Sequence, residues 1–270
     1  MTPRLRFGWL MIVLCALYFI VPIAASFAFT VRRAGGGVSG DAYAHIVSTD
    51  GFTDALRLSL ILAGLTVVGA LAITVPAMLV VTLRLPRLRP VVEGLSLVPL
   101  VIPPIALVVG VRDVLSLGPN QLAGTPLGDT LVSSQNPNLP IVLVIVYIVL
   151  ALPFVYRSLE SGMRVLDVRT LVDAARGLGA NWATVIFRVL LPNLRSAVLG
   201  AAFLTIAMVL GEFTVASILY FQTLPTWLLK IAGEHGQESV AVSVASLIFT
   251  WLLLLAVSLI DRRRPARSIA

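Results

Sequence analysis

The sequence predicts an all-α, polytopic membrane protein with six transmembrane helices. Composition and patterning carry that reading. Of 270 residues, 58% are hydrophobic and only 12% are charged, against roughly 45–50% and about 25% in a soluble domain. Mean hydropathy is +0.99. The apolar residues run in continuous stretches close to the ~20 that a helix needs to cross a hydrocarbon core of about 30 Å. They do not alternate with polar ones as the strands of a membrane barrel do. A folded surface in water needs more ionisable groups than this chain has, so a soluble enzyme, a disulfide-stapled secreted domain and a disordered chain are excluded.

The first apolar stretch, Trp9–Thr30, follows Arg4 and Arg6. Ser26-Phe27-Ala28 faintly resembles a cleavage site, but the stretch is far longer than the 7–15 apolar residues of a signal peptide. It is expected to be a retained helix within an N-terminal segment 1–33. Its single cysteine, Cys15, is expected to be a buried small hydrophobe, with no disulfide or thiolate cluster available. The remaining stretches are Leu56–Thr82, Leu95–Val111, Leu139–Val155, Ala197–Phe221 and Val240–Ile260. The third holds Pro99, Pro103, Pro104 and Gly110, so it must kink or break. Broken backbone at membrane depth is tolerated only where protein or a water-filled cavity satisfies it. Pro103 and Pro104 are therefore candidates for lining a translocation path, beside the plainer reading of a kinked packing helix. Between the spans lie polar, turn-rich loops such as Gly35-Gly36-Gly37 and residues 116–138.

Charge sets the expected orientation. Fifteen of the twenty basic residues fall on one set of alternating segments, ending in Arg262, Arg263, Arg264 and Arg267 of a basic tail, 261–270. Arg32 and Arg33 run against the pattern. Lys and Arg concentrate on the cytoplasmic side, so both termini are expected there, with the tail against anionic lipid. The same sorting explains the net charge of +7. The basic residues sit between spans with no interleaved stacking platform, so nucleic acid is not an expected partner.

The longest inward connection, Asp167–Pro192, is the most informative. Leu171, Ala174, Ala175 and Leu178 recur at helical spacing. Thr170 and Asp173 have the spacing of a capping box. Gly179 is a helix stop, Asn181 a second helix start, and Pro192 the end of that helix. Two short amphipathic helices joined at a glycine are too short and too polar to span. They suit either a docking knob for a soluble partner, with Asp173, Arg169 and Arg176 setting orientation, or a pair lying on the lipid surface.

The pattern Asp173-Ala174-Ala175, three residues, Gly179, nine residues, Val189, one residue, Leu191-Pro192 resembles the EAA loop of ATP-binding cassette importer permeases. Every spacing matches, with Asp for Glu and Val for Ile. The resemblance covers roughly Leu56–Ile260. It implies the type I importer permease fold, with a core over 56–260, a coupling loop over 167–192, and Asp173, Ala174, Ala175, Gly179, Leu191 and Pro192 as ATPase-coupling residues. It also implies two ATPase subunits, a second permease subunit, identical or distinct, and an extracytoplasmic solute-binding protein. ATP would bind on the partner: this chain has no G-x-x-x-x-G-K-[ST] and its only lysine is Lys230. No cofactor or metal on this chain, and no catalysis, is expected.

Glu212, in Leu210-Gly211-Glu212-Phe213, lies midway along the fifth stretch. A charge there costs roughly 2.5–3.5 kcal/mol on insertion scales and belongs in the bundle interior or a cavity. It is read as a path or gate residue or a contact to the second permease, or else as a carboxyl that holds helices together. The Leu-Gly-Glu-Phe segment, like Pro99–Pro104, resembles the sulfate/molybdate, thiamine, iron(III) and polyamine branch. Trp227 is expected either as an interfacial anchor or as a binding-protein contact. His45 and His235 have no second ligand at metal-binding spacing. The competing class is a secondary transporter or channel without an ATPase, which needs ion-coupling carboxylates or an internal repeat. An intramembrane enzyme would need a convergent Ser/His or Asp pair.

Overall fold

The computed structural model of the chain describes residues 3–32, 37–233 and 235–262, the side chains of 3–8, 250, 253–254 and 256–262 excepted. The side chains of Arg4, Arg6 and Arg262, and the whole of Arg33, Glu234, Arg263, Arg264 and Arg267, lie outside what is described. Helices α1 (Pro3–Val31), α2 (Asp41–Ala44), α3 (Phe52–Leu83), α4 (Arg89–Val101), α5 (Pro104–Asn120), α6 (Pro126–Ser133) and α7 (Ile141–Val165) come first. They are followed by α8 (Val168–Gly177), α9 (Trp182–Thr184), α10 (Leu191–Asn193), α11 (Arg195–Gly211), α12 (Thr214–Ile218), α13 (Leu224–Ile231) and α14 (Gly236–Arg262). The described residues form an all-α architecture. They divide into two compact units, one built from Met1–Asp54 and Trp227–Ala256, the other from Ala55–Thr226 and Val257–Ala270.

Four stretches among the described residues are long and apolar enough to cross a membrane: Trp9–Val31, Phe52–Leu83, Ile141–Val165 and Arg195–Ile218. The pair Pro86–Val101 and Pro104–Asn120, bent by 95°, makes a fifth if it crosses as one span. The sixth expected span falls on α14, whose apolar described part is the shorter Gly236–Phe249. Three boundaries differ from the expected ones. The fourth span continues ten residues past Val155, because Arg157, Glu160 and Arg164 lie at i, i+3 and i+7 and pair along the helix. The fifth breaks at Glu212-Phe213. The loop 116–138 contains α6, started by Pro126 at its first turn and by the Thr125 hydroxyl accepting from Gly128 N at 3.1 Å.

In the first unit, most side chains of α1 are exposed, Cys15 among them, which corrects its expected burial. Thr30 Oγ1 meets Tyr43 Oη at 2.9 Å, and Gln237 Nε2 donates to Arg32 O at 2.8 Å. Trp227 is buried, not an interfacial anchor or a surface contact: its indole N–H donates to Asp50 O at 2.9 Å and its ring packs on Phe52 at 5.4 Å. A buried indole needs such an acceptor, and the exposed backbone around Gly51 supplies it.

In the second unit, small residues let backbones close. A Cβ on Gly162 of α7 would lie 2.5 Å from Ala197 Cβ of α11, and Ser158 Oγ donates to Ala197 O at 2.7 Å. Helices in lipid lack a hydrophobic drive toward each other and associate through such close approach and hydrogen bonds. Leu62 of α3, Val108 of α5, Leu143 and Tyr147 of α7, and Val215 of α12 form one buried cluster. A second joins Ala70 and Met78 of α3 to Tyr156 and Leu159 of α7 and Ala201 of α11. A third seats the connection after α7 against the end of α3.

Candidate functional site

Helix α8 starts one turn earlier than Thr170. Asp167 is its N-cap: its carboxylate accepts from Thr170 N at 3.3 Å and from the Thr170 hydroxyl at 2.7 Å. These bonds hold the Asp167 carboxyl below the usual carboxylate range. Thr170 is thus the third helical residue and not the cap, and Asp173 is left free of the capping box. The helix stops as the glycine requires. Gly179 has φ +82°, Gly179 N donates to Arg176 O at 3.0 Å, and Ala180 N donates to Ala175 O at 3.0 Å. These are the two bonds of a Schellman motif, with Gly179 at its left-handed position. Asn181 then caps α9, accepting from Thr184 N at 2.8 Å.

Residues 185–190 are π-helical and lead into α10. Pro192 sits in the first turn of α10 rather than ending the segment; the break falls at Leu194. Proline has no N–H and its ring clashes with the carbonyl four residues back, so the wider turn just before it is its natural partner.

Helix α8 has two apolar faces. Val168, Val172 and Ala175 are buried with Leu79 of α3, Val185 and Leu190. Asp173, Ala174 and Leu178 are exposed, Leu178 at 89%, and Leu171 is half-buried. The four-residue apolar stripe expected from the sequence is therefore mostly the outward face, and only Ala175 of it is inside. The inward face is anchored to the end of α3. Arg169 donates twice to Thr82 O, at 3.1 and 3.3 Å, and the guanidiniums of Arg84 and Arg176 lie over the Trp182 ring, 5.7 and 5.5 Å from its centroid. Arg176 also donates to Ala180 O at 3.0 Å. Two of the charges expected to orient a partner, Arg169 and Arg176, thus orient the loop itself. Asp173 makes no such bond among the described residues.

Glu212 closes α11, and its carboxyl then accepts from Val215 N at 2.8 Å and Ala216 N at 3.3 Å, so it satisfies the start of α12 across the break. Tyr147 of α7 donates its hydroxyl to Glu212 Oε2 at 3.0 Å. Pro103 and Pro104 lie at the 95° bend between α4 and α5, both exposed, with Pro103 capping α5 and Pro104 opening it. No hydrogen bond among the described residues joins the prolines, Glu212 and the connection after α7.

A groove of about 1030 Å³ runs between α4, α7 and the start of α11. Leu100 and Val101 of α4, Phe154, Arg157, Ser158 and Ser161 of α7, and Asn193 and Ser196 at the start of α11 line it. Sequence reasoning passed over these residues. The one available signal was the small and hydroxyl run Ser158, Ser161, Gly162 at i, i+3 and i+4, which puts them on one face of α7.

Residues 72–265 match the family model described as binding-protein-dependent transport system inner membrane component. The chain is 30% identical over 214 residues to a probable molybdenum ABC transporter permease protein of Haloferax volcanii, covering 77% of this chain and 72% of that one. It is 30% identical over 220 residues to the molybdenum transport system permease protein ModB of Mycobacterium tuberculosis, covering 78% and 81%. To the spermidine/putrescine transport system permease protein PotB of Haemophilus influenzae it is 27% identical over 231 residues, covering 81% and 76%. These relatives are transport subunits and not enzymes. The all-α build with its long apolar helices agrees with the match, and the chain belongs to the inner-membrane permease family of binding-protein-dependent ABC importers.

Proposed function

We propose that the chain forms half of the translocation path of an ATP-driven importer and that α8 is its docking knob for a separate ATPase subunit. The observation that carries this is the outward face of α8: Asp173, Ala174 and Leu178 stand exposed on a helix whose opposite face is packed into the protein. Exposed leucine beside alanine is apolar surface for a partner to bury, and Asp173 supplies an unspent charge. The full assembly has two ATPase subunits, a second permease and an extracytoplasmic binding protein. ATP is held by the ATPases, and no cofactor is held by this chain. Both termini face the cytoplasm of a bacterial plasma membrane. Movement of α8 passes into α3 through the Arg169–Thr82 contact, and the Arg84–Trp182 contact ties α9 to the residue that follows α3.

For the solute, we infer a small oxyanion. The groove is lined by several hydroxyls and no carboxylate, and its one guanidinium, Arg157, keeps part of its donor set free beside Glu93 and Glu160, which its Nη1 contacts. A polyamine would favour carboxylates, and Glu212 has both oxygens engaged by Tyr147 and two backbone N–H groups. The relatives from Haloferax volcanii and Mycobacterium tuberculosis are molybdenum permeases. Co-expression with the ATPase tests the docking reading. Leu178→Glu and Asp173→Arg are expected to leave the permease in the membrane but to cut co-purifying ATPase and solute uptake at least tenfold. Undiminished ATPase recovery in both variants would mean that α8 lies on lipid instead. Uptake of labelled molybdate, competed by sulfate but not by spermidine, is the result expected for the solute.

A further inference from the structure

The functional reading leaves unused the densest charge cluster of the described residues. Glu160, on the arginine-rich end of α7, is 5% exposed. Its Oε1 accepts from Arg89 Nη2 and from Arg164 Nη2, each at 2.9 Å, and its Oε2 accepts from Arg157 Nη1 at 3.3 Å. Arg157 Nη1 also reaches Glu93 Oε1 at 3.1 Å. Arg89 and Glu93 lie four apart on α4, and Arg157, Glu160 and Arg164 lie along α7, so two cross-helix ion pairs, Arg89–Glu160 and Glu93–Arg157, join the same two faces.

Local helix stability accounts for the Arg157–Glu160–Arg164 pairs along α7 but not for the arms that reach α4. Arg89 is the first residue of α4, where the helix dipole disfavours a cation. Glu160 is nearly out of water, where a carboxylate is tolerated only if paired. Both placements make sense as a contact between α4 and α7. Helix α4 needs such a contact. It is a half-helix of 13 residues that ends at the 95° bend, so its far end is not continued by a straight helix that would hold it in line. The same half-helix supplies Leu97, Leu100 and Val101 to the groove, and Arg157 stands in both the cluster and the groove lining.

We propose that Glu160 is a positioning residue of transport: it clamps the half-helix α4 to α7 and so sets the width of the groove where Arg157 lines it. Glu160 touches no solute in this account; it acts through Arg89 and Arg157. This rests on the groove being the path, and the test separates the two.

The full-length chain in lipid nanodiscs, with Cys15→Ser and spin labels at Leu95→Cys and Val165→Cys, reports the distance from α4 to α7 without any partner subunit. Glu160→Gln is expected to broaden the distance distribution, and Glu160→Asp to restore most of its sharpness. In the assembled importer, solute moved per ATP hydrolysed is expected to fall at least fivefold in Glu160→Gln, more than ATP hydrolysis itself falls. Glu93→Gln removes only the Arg157 arm from a half-buried position, so it decides the matter if Glu160→Gln does not assemble; an intermediate broadening and an intermediate loss are expected. Unchanged distances in both variants overturn the clamp. Broadened distances with an unchanged solute-to-ATP ratio overturn its role in transport and point to a path elsewhere, leaving the docking of α8 intact.

Discussion

Gly179 and Tyr220 occupy the same position of the same helix-ending motif. Phe221 N donates to Ala216 O at 2.9 Å and Tyr220 N to Ser217 O at 3.2 Å, as Ala180 and Gly179 do after α8. Tyr220 holds φ +63°, where a Cβ crowds the following carbonyl at about 1–2 kcal/mol. Gly179→Ala would pay the same penalty with no steric clash, since nothing lies within 4 Å of its Cβ position. Gly179→Ala is expected to destabilise α8 by about 1 kcal/mol, and Tyr220→Gly to stabilise the α12 end by about 1 kcal/mol, partly offset by loss of the Arg112 stack at 6.0 Å. Amide exchange of Ala180 and Phe221 reads both. Tyr147→Phe removes a hydrogen bond to the Glu212 carboxyl and is expected to cost about 0.6–1.7 kcal/mol, seen as a lower thermal midpoint. Of these residues, Gly179 and Glu212 were legible in the sequence. Tyr147 was not: it sits in an unbroken apolar run, and only the fold shows that the break after Gly211 comes to lie beside it.

At the scale of the element, α8 shows what periodicity reveals and what it conceals. The existence of the helix, its glycine stop and the Asn181 cap follow from local chemistry, and all three are in the structure. Its start and its inward face do not follow. Leu171, Ala174 and Leu178 form as good an apolar stripe as Val168, Val172 and Ala175, and only Leu79, Val185 and Leu190 decide between them. The cap gives a pH-dependent signature. The Asp167 pKa in the folded chain lies below its unfolded value near 3.9. The capping stability is therefore fully present above that unfolded value and is lost as pH falls through the folded one. Protection of the Thr170 amide is expected to be flat from neutral pH down to about pH 4 and to fall below it. Asp167→Asn, which caps without titrating there, should remove the pH dependence.

On the whole-molecule scale, composition alone carried the fold class, because burial in lipid leaves so few places for charge. Span ends were less legible. Charged turns extend α7 into the ion-pair cluster, and polar caps turn an apparently continuous fifth span into α11 and α12. The groove was the least legible, since its walls come from α4, α7 and α11 and no linear pattern unites them. Orientation is expected to place the C-terminus in the cytoplasm: a C-terminal fluorescent-protein fusion should glow and an alkaline phosphatase fusion at the same site should be inactive. The central claim is that α8 faces an ATPase. A photo-crosslinker on Leu178→Cys, in the Cys15→Ser chain assembled with its co-expressed ATPase, is expected to link to that subunit, whereas Val172→Cys on the buried face is not. Attachment from Leu178→Cys to lipid alone, with no ATPase adduct, would contradict the account.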